Sequence, residues 1–410
     1  MTEQLKLKLN DSKATRWGAL VIVAFTMMAA YYVNDVVAPL KTMLETDLAW
    51  SSTDFGFFTG GYSFLNVFFL MLIWGGLILD RFGIRFTGKL ATILMVGGTA
   101  LEYYAMTGLA GADATLFGIN EILGYKTGVF VAFAGYSIFG VGAEVAGITV
   151  SKIIAKWFKG KELATAMGVQ VALARIGSQA GYAVAIPLAR AFGISTPVLL
   201  GLVLLLGGMI AFFIFAVMDK KLDKQMEAAA IAAGTEDEEE KFSFKDVKNI
   251  LVNPGFWLIA LLCVLFYSCV FPFQKFASEL MIIKYGINEN VAGTFAGLPA
   301  LGALILTPVF GGFIDKRGKS ASIMLLGSAM LICVHFIYAI PDINYWLVAI
   351  VLMIILGIAF SLVPSAMWPA VAKIFPVSQL GTAYALIFFI QNIGLWGIPT
   401  LIGWVLDAYC

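Results

Sequence analysis

The segment 75–85, GGLILDRFGIR, has a counterpart at 311–320, GGFIDKRGKS. Setting Gly76 against Gly311 puts Asp80 on Asp315, and each aspartate is followed by a basic residue, Arg81 or Lys316, and then by a glycine. Two copies of one short pattern predict a chain built from two related halves. Glycine lets a helix end approach its neighbours, and the aspartate can accept hydrogen bonds from a helix N-terminus and pair with cations. Such a contact forms in one conformation and breaks in another, so Asp80, Arg81, Asp315 and Lys316 are candidate gating residues. Ordinary membrane-flanking loops would account for the basic residues but not for the matched glycine and aspartate.

Both copies lie in apolar surroundings. Of 410 residues, 60% are hydrophobic and 13% charged, with a mean hydropathy of +0.90, whereas soluble domains carry about a quarter charged residues. A bilayer core needs about 20 apolar residues per helix. Spans are expected near 17–39, 53–79, 87–109, 126–151, 162–190, 196–218, 254–283, 289–314, 320–340, 344–372 and 379–406. The polar stretch DKKLDKQMEAAAIAAGTEDEEEKFSFKDVKN (219–249) reads as a linker, part helical and part disordered. The expected organisation is therefore a first bundle over 1–218, a linker over 219–252 and a second bundle over 253–410. Six spans precede the linker and five follow it, so a twelfth helix is expected to be missing from this chain.

Basic residues assign the sides. With the N-terminus in the cytoplasm, all Lys and Arg residues fall in cytoplasmic segments except Lys41, Lys126, Arg190, Lys275, Lys284 and the buried Arg175. That bias fixes a cytoplasmic N-terminus. The polar start shows no small-residue cleavage site, so no removed signal peptide is expected. GGFIDKRGKS is not a Walker loop: five residues, not four, separate Gly312 from Gly318, and no strand precedes it. One histidine, His335, and four cysteines without a CxxC pair leave no metal site, cofactor site or nucleophile–base set. An enzyme is not expected, and the net charge of +1 points to no nucleic-acid partner.

Charge inside the apolar runs carries the functional signal. An ionisable residue at mid-membrane costs at least ~2.5–3.5 kcal/mol on insertion scales. Glu144, in GVGAEVAG, and Arg175, in ALARIGSQAG, lie at comparable depth on consecutive spans. Either they form a permanent ion pair, or they face a water-filled cavity and hold opposite ends of a zwitterion. Asp35 and Lys275 could pair across the two halves as an outer gate, or simply reach the outer aqueous boundary. Trp368, beside Pro369, is a packing residue at a kink or a cavity wall. Gln391 and Asn392 make interhelical bonds or ligand contacts. His335 reads as a satisfied packing residue.

The paired G-x-x-x-D-(R/K)-x-G pattern resembles the signature of the major facilitator superfamily. KWFKGKELATAMGVQVALARIGS (156–178), VFPFQKF (270–276), TPVFGGFIDKRGKS (307–320) and MWPAVAKIFPVSQLGTAYALIFFIQNIGL (367–395) resemble, more narrowly, the dipeptide uniporters of animal lysosomes. The resemblance implies an all-α membrane protein of two six-helix bundles. It also implies dipeptide transport by alternating access, with Glu144 and Arg175 contacting the peptide termini. This sequence departs from that family in placing Gly-Ala before Glu144 and a charge at 275, and no N-x-(S/T) sequon falls in an outer loop. A monomeric plasma-membrane transporter in contact with lipid, with no obligatory subunit, is the expectation. A bound zwitterion adds no net charge, so transport could be electroneutral, with proton coupling through Glu144 left open. The alternatives are an organic-anion transporter or a proton-coupled symporter or antiporter, and a non-transporting scaffold, which would call for a large soluble appendage.

Overall fold

The computed structural model describes residues 8–111, 114–159, 161–233, 244–375 and 377–409; the side chains of 164, 229–233, 244–246, 315, 372 and 377–381 also lie outside the description. The chain runs α1 (Lys13–Val36), a 3-10 turn (Ala38–Leu40), α2 (Lys41–Leu48), α3 (Ser52–Phe68) and α4 (Met71–Thr107). A hairpin of β1 (Glu121–Ile122) and β2 (Tyr125–Lys126) precedes α5 (Thr127–Trp157), α6 (Leu163–Phe192) and α7 (Thr196–Ala233). Then come α8 (Phe244–Val252), α9 (Pro254–Ile283), α10 (Glu289–Ala296), α11 (Leu298–Arg317), α12 (Ser320–Ala339), α13 (Trp346–Ile374) and α14 (Val377–Tyr409).

Among the described residues, eight helices are long and apolar enough to cross a membrane, and a ninth candidate is the bent pair α3–α4. That pair makes two crossings, because α4 breaks at Gly83 (φ 75°), inside the first repeat. α6, which carries Arg175 and Arg190, is not among these candidates. The linker is helical at both sides of residues 234–243, which lie outside the description: α7 continues to Ala233, and α8 follows.

Each half has its own core. The larger is built from α1–α7 and takes in Phe276, with Ile402 and Leu406 packed against it, from the second half. The other is built from α8–α14 and borrows only Ala38 and Tyr182 from the first. Caps set where helices begin: Ser51 and Asp54 form a capping box at α3, and Asn253 with Pro254 starts α9.

The halves meet at the end opposite the linker. There α3 lies against α14 so closely that a Cβ on Gly56 would sit 2.3 Å from the Pro399 carbonyl oxygen, and one on Gly60 2.6 Å from that of Trp396. Asp407 accepts hydrogen bonds from the Ser52 and Thr53 amides at 3.0 and 2.6 Å. Toward the linker the halves part. Leu70 takes a left-handed conformation (φ 53°), and α4 leaves the line of α3 by 58°. Among the described residues, hydrogen bonds between the halves all lie at the closed end.

Overpacking a tight contact costs about 1–3 kcal/mol, so Gly56→Ala is expected to weaken closure roughly 5- to 100-fold. Spin labels at the exposed positions Asp47 and Tyr409, one on each half, read this as a new, longer distance in pulsed electron spin resonance. An unchanged distance distribution would show that this contact does not hold the end shut.

Candidate functional site

Between the halves lies a cavity of about 1120 Å³ that runs from Asn34 and Lys275 near the closed end to Asp80, Ser151 and Val247 at the linker end. Glu144 of α5 and Arg175 of α6 both line it. The two are not salt-bridged among the described residues. Glu144 Oε1 accepts a hydrogen bond from the Tyr62 hydroxyl at 3.1 Å. The Arg175 guanidinium sits 5.5 Å from the Tyr31 ring centroid in the first half and 5.1 Å from that of Phe360 in the second. Cation–π contact of this kind holds the group without consuming its N–H donors. Among the described residues Arg175 donates no hydrogen bond, so its donors are free for a ligand.

Trp368 and Gln391 also line the cavity. The Trp368 indole stacks on Phe388 with centroids 4.8 Å apart, and its N–H donates to the Tyr267 hydroxyl at 3.3 Å. Gln391 Oε1 accepts from the Cys263 thiol at 3.3 Å. Asn392 does not line the cavity. It is buried, and its amide donates to the Phe388 carbonyl one turn back at 2.9 Å. Successive helix positions point about 100° apart, so a ligand-facing Gln391 turns Asn392 into the bundle. His335 faces the carbonyls of Leu331 and Cys269 at 2.9 and 3.2 Å.

Asp35 and Lys275 are brought together across the halves, Oδ1 to Nζ 3.2 Å. Lys275 also donates to the Asn34 carbonyl and to the Tyr136 hydroxyl. A second cross-half cluster was not read from the sequence. Lys41, 1% exposed, pairs with Glu45 and Glu279 at 2.5 Å each and donates to Ser52 at 2.7 Å. The signal was available, since Lys41 is one of five cations on the sparsely basic side.

At the linker end Asp80 pairs with Lys152 of its own half at 2.9 Å, and its side chain stays 70% exposed. Arg81 lies over the neighbouring Phe82 ring, and Lys316 is exposed. The side chain of Asp315 lies outside the described residues. Among the described residues the first repeat thus makes no bond to the second half, as expected where the cavity opens.

The sequence profile of the Major Facilitator Superfamily matches residues 20–397. The human Lysosomal dipeptide transporter MFSD1 is 29% identical over 409 residues, covering 96% of this chain and 81% of the relative. The chicken protein of that name is 33% identical over 287 residues, 67% of this chain and 62% of the relative. The inward open conformation of the xylose transporter XylE from E. coli superposes with a TM-score of 0.69 at 15% identity, covering 96% of this chain and 91% of that one. The nucleoside transporter NupG gives the same score at 13% identity, covering 95% and 91%.

Removing one partner of a buried ion pair costs about 3–5 kcal/mol. Asp35→Asn and Lys275→Met are each expected to be destabilised, and the double variant by less than the two together, a coupling of about 1 kcal/mol or more. Thermal unfolding of the three variants and the parent measures it. Strict additivity would show that the pair is not energetically coupled.

Proposed function

We propose that this chain, which belongs to the Major Facilitator Superfamily of multi-pass membrane transporters, moves dipeptides or similar small zwitterions by alternating access. The observation that carries the reading is a pair of opposite charges facing one cavity, Glu144 and Arg175, engaged by other groups and not by each other. Arginine suits a carboxylate because its planar fork meets both oxygens and stays charged. Glutamate suits an ammonium group. A dipeptide separates its termini farther than a free amino acid does, which fits charges supplied by different helices. Tyr267, Phe271, Trp368, Tyr384 and Phe388 offer an aromatic wall for a side chain, with Gln391 as its polar contact.

The halves rock about the bound ligand. In the state described, the Asp35–Lys275 and Lys41–Glu279 pairs close the far end while the linker end is open. The reverse state would close the linker end through the Asp80–Arg81 and Asp315–Lys316 repeats. The distribution of basic residues supports a cytoplasmic N-terminus and linker, and with that orientation this is the inward-open state. The absence of a sequon in the outer loops suits the plasma membrane, with the transporter working as a monomer.

Losing one charge-assisted partner costs about 1.5–3 kcal/mol, so Arg175→Ala and Glu144→Gln should each weaken dipeptide uptake into proteoliposomes roughly 10- to 100-fold. Uptake of a dicarboxylate instead of a dipeptide, still dependent on Arg175, would replace this reading with an organic-anion transporter.

A further inference from the structure

Glu102 lies on α4, five residues before its end at Thr107, in an apolar crossing. It is 0% exposed, and neither carboxyl oxygen has a hydrogen-bond partner. Its backbone is held against α5, where a Cβ on Gly135 would come within 2.9 Å of the Glu102 nitrogen. An ionised carboxylate without a protein partner is costly in such a place. The charge that acts on it is that of Lys275 on α9, and Glu102 acts in turn on the phenol of Tyr136 on α5; it shares a hydrogen bond with neither. Lys275 is itself paired with Asp35 of α1. The adjacent stretch of α7, residues 196–208, carries no ionisable side chain, and Asp54 of α3 is engaged in its helix cap.

We propose that Glu102 is a proton-binding site, one layer behind the cavity wall, through which transport is coupled to a proton. The proposal rests on the transporter reading and adds a co-ion to it. With the far end closed, Lys275 is docked on Asp35, and Glu102 holds its proton. Lys275 belongs to the second half and the two carboxyls to the first, so opening the far end undocks the lysine. Outside water then reaches this layer, and Glu102 exchanges its proton with it.

Release takes the opposite route. Tyr136 lines the cavity and donates to the Asn34 carbonyl and amide oxygens at 2.8 and 3.1 Å. Water entering past Tyr136 takes the proton from the Glu102 O–H and carries it to the cavity, leaving the carboxylate. Lys275 turns to the carboxylate left behind, and Asp35 keeps its hydrogen bond from Asn34 Nδ2, at 2.8 Å. One proton crosses per cycle, and a neutral zwitterion then travels with net charge.

The test measures labelled dialanine uptake and luminal pH in the same proteoliposomes, with the membrane potential clamped by potassium and valinomycin. Alongside it, the carboxylic-acid band of the purified protein is recorded in the infrared at neutral pH. The expected result is luminal acidification with uptake in the parent. In Glu102→Gln the acidification is lost, dialanine exchange is kept, and the acid band is missing. Dialanine uptake by the parent without acidification overturns the proton site and leaves the zwitterion reading standing, and it needs no variant. Acidification that persists in Glu102→Gln also overturns it, placing the proton elsewhere. If dialanine is not carried at all, the transporter reading fails, and the infrared arm still decides the site: an acid band unchanged in Glu102→Gln refutes it.

Discussion

A charge in hydrocarbon must have a counter-charge, a proton or water, and this structure is organised around that demand. Asp35 and Lys275 answer it by pairing across the halves, with Lys41 and its two carboxylates making a second joint nearby. Buried ion pairs are poor net stabilisers, because desolvation offsets most of their attraction. That weakness suits a joint that must open. When the halves part, every member of both clusters meets water and recovers its hydration, so open and closed states can lie within a few kcal/mol of each other. An apolar interface of the same area would have no such compensation.

The glycines complete this balance. Gly56 and Gly60 let α3 reach the backbone of α14, which supplies close packing where lipid offers no hydrophobic drive between helices. The bend at Leu70 then separates the rest of the crossing from the second half. Closure at one end and an aqueous entrance at the other thus arise from one crossing, tight in its glycine-rich part and diverted below it.

Much of this was legible in the sequence, because composition and periodicity report directly on helices in lipid. The repeats marked the two halves, and Glu144 and Arg175 stood out as charges amid small apolar residues. Glu102 carries the same signal but escaped notice. It sits in TALEYYAM, near the end of its crossing and beside two tyrosines, a setting typical of the membrane interface. Only its burial against the Gly135 stretch of α5 reveals that it is shut in. Asn392 shows the converse limit. An amide pair in sequence is not an amide pair in space, because the helix turns one of the two away.

Electroneutrality ties these residues together. Arg175 and Glu144 balance each other across the cavity without touching, so the empty site carries no net charge and admits water at little electrostatic cost. A zwitterion preserves that balance, since each of its ends replaces solvent on one partner. Asp35 and Lys275 likewise cancel, which leaves Glu102 as the odd charge of this layer. As an anion it would compete with Asp35 for the charge of Lys275. As a neutral acid it leaves the Asp35–Lys275 pair undisturbed and the far end shut. With the proton site we propose, the protonation of Glu102 and the closure of the far end are linked through Lys275, and a change in one biases the other.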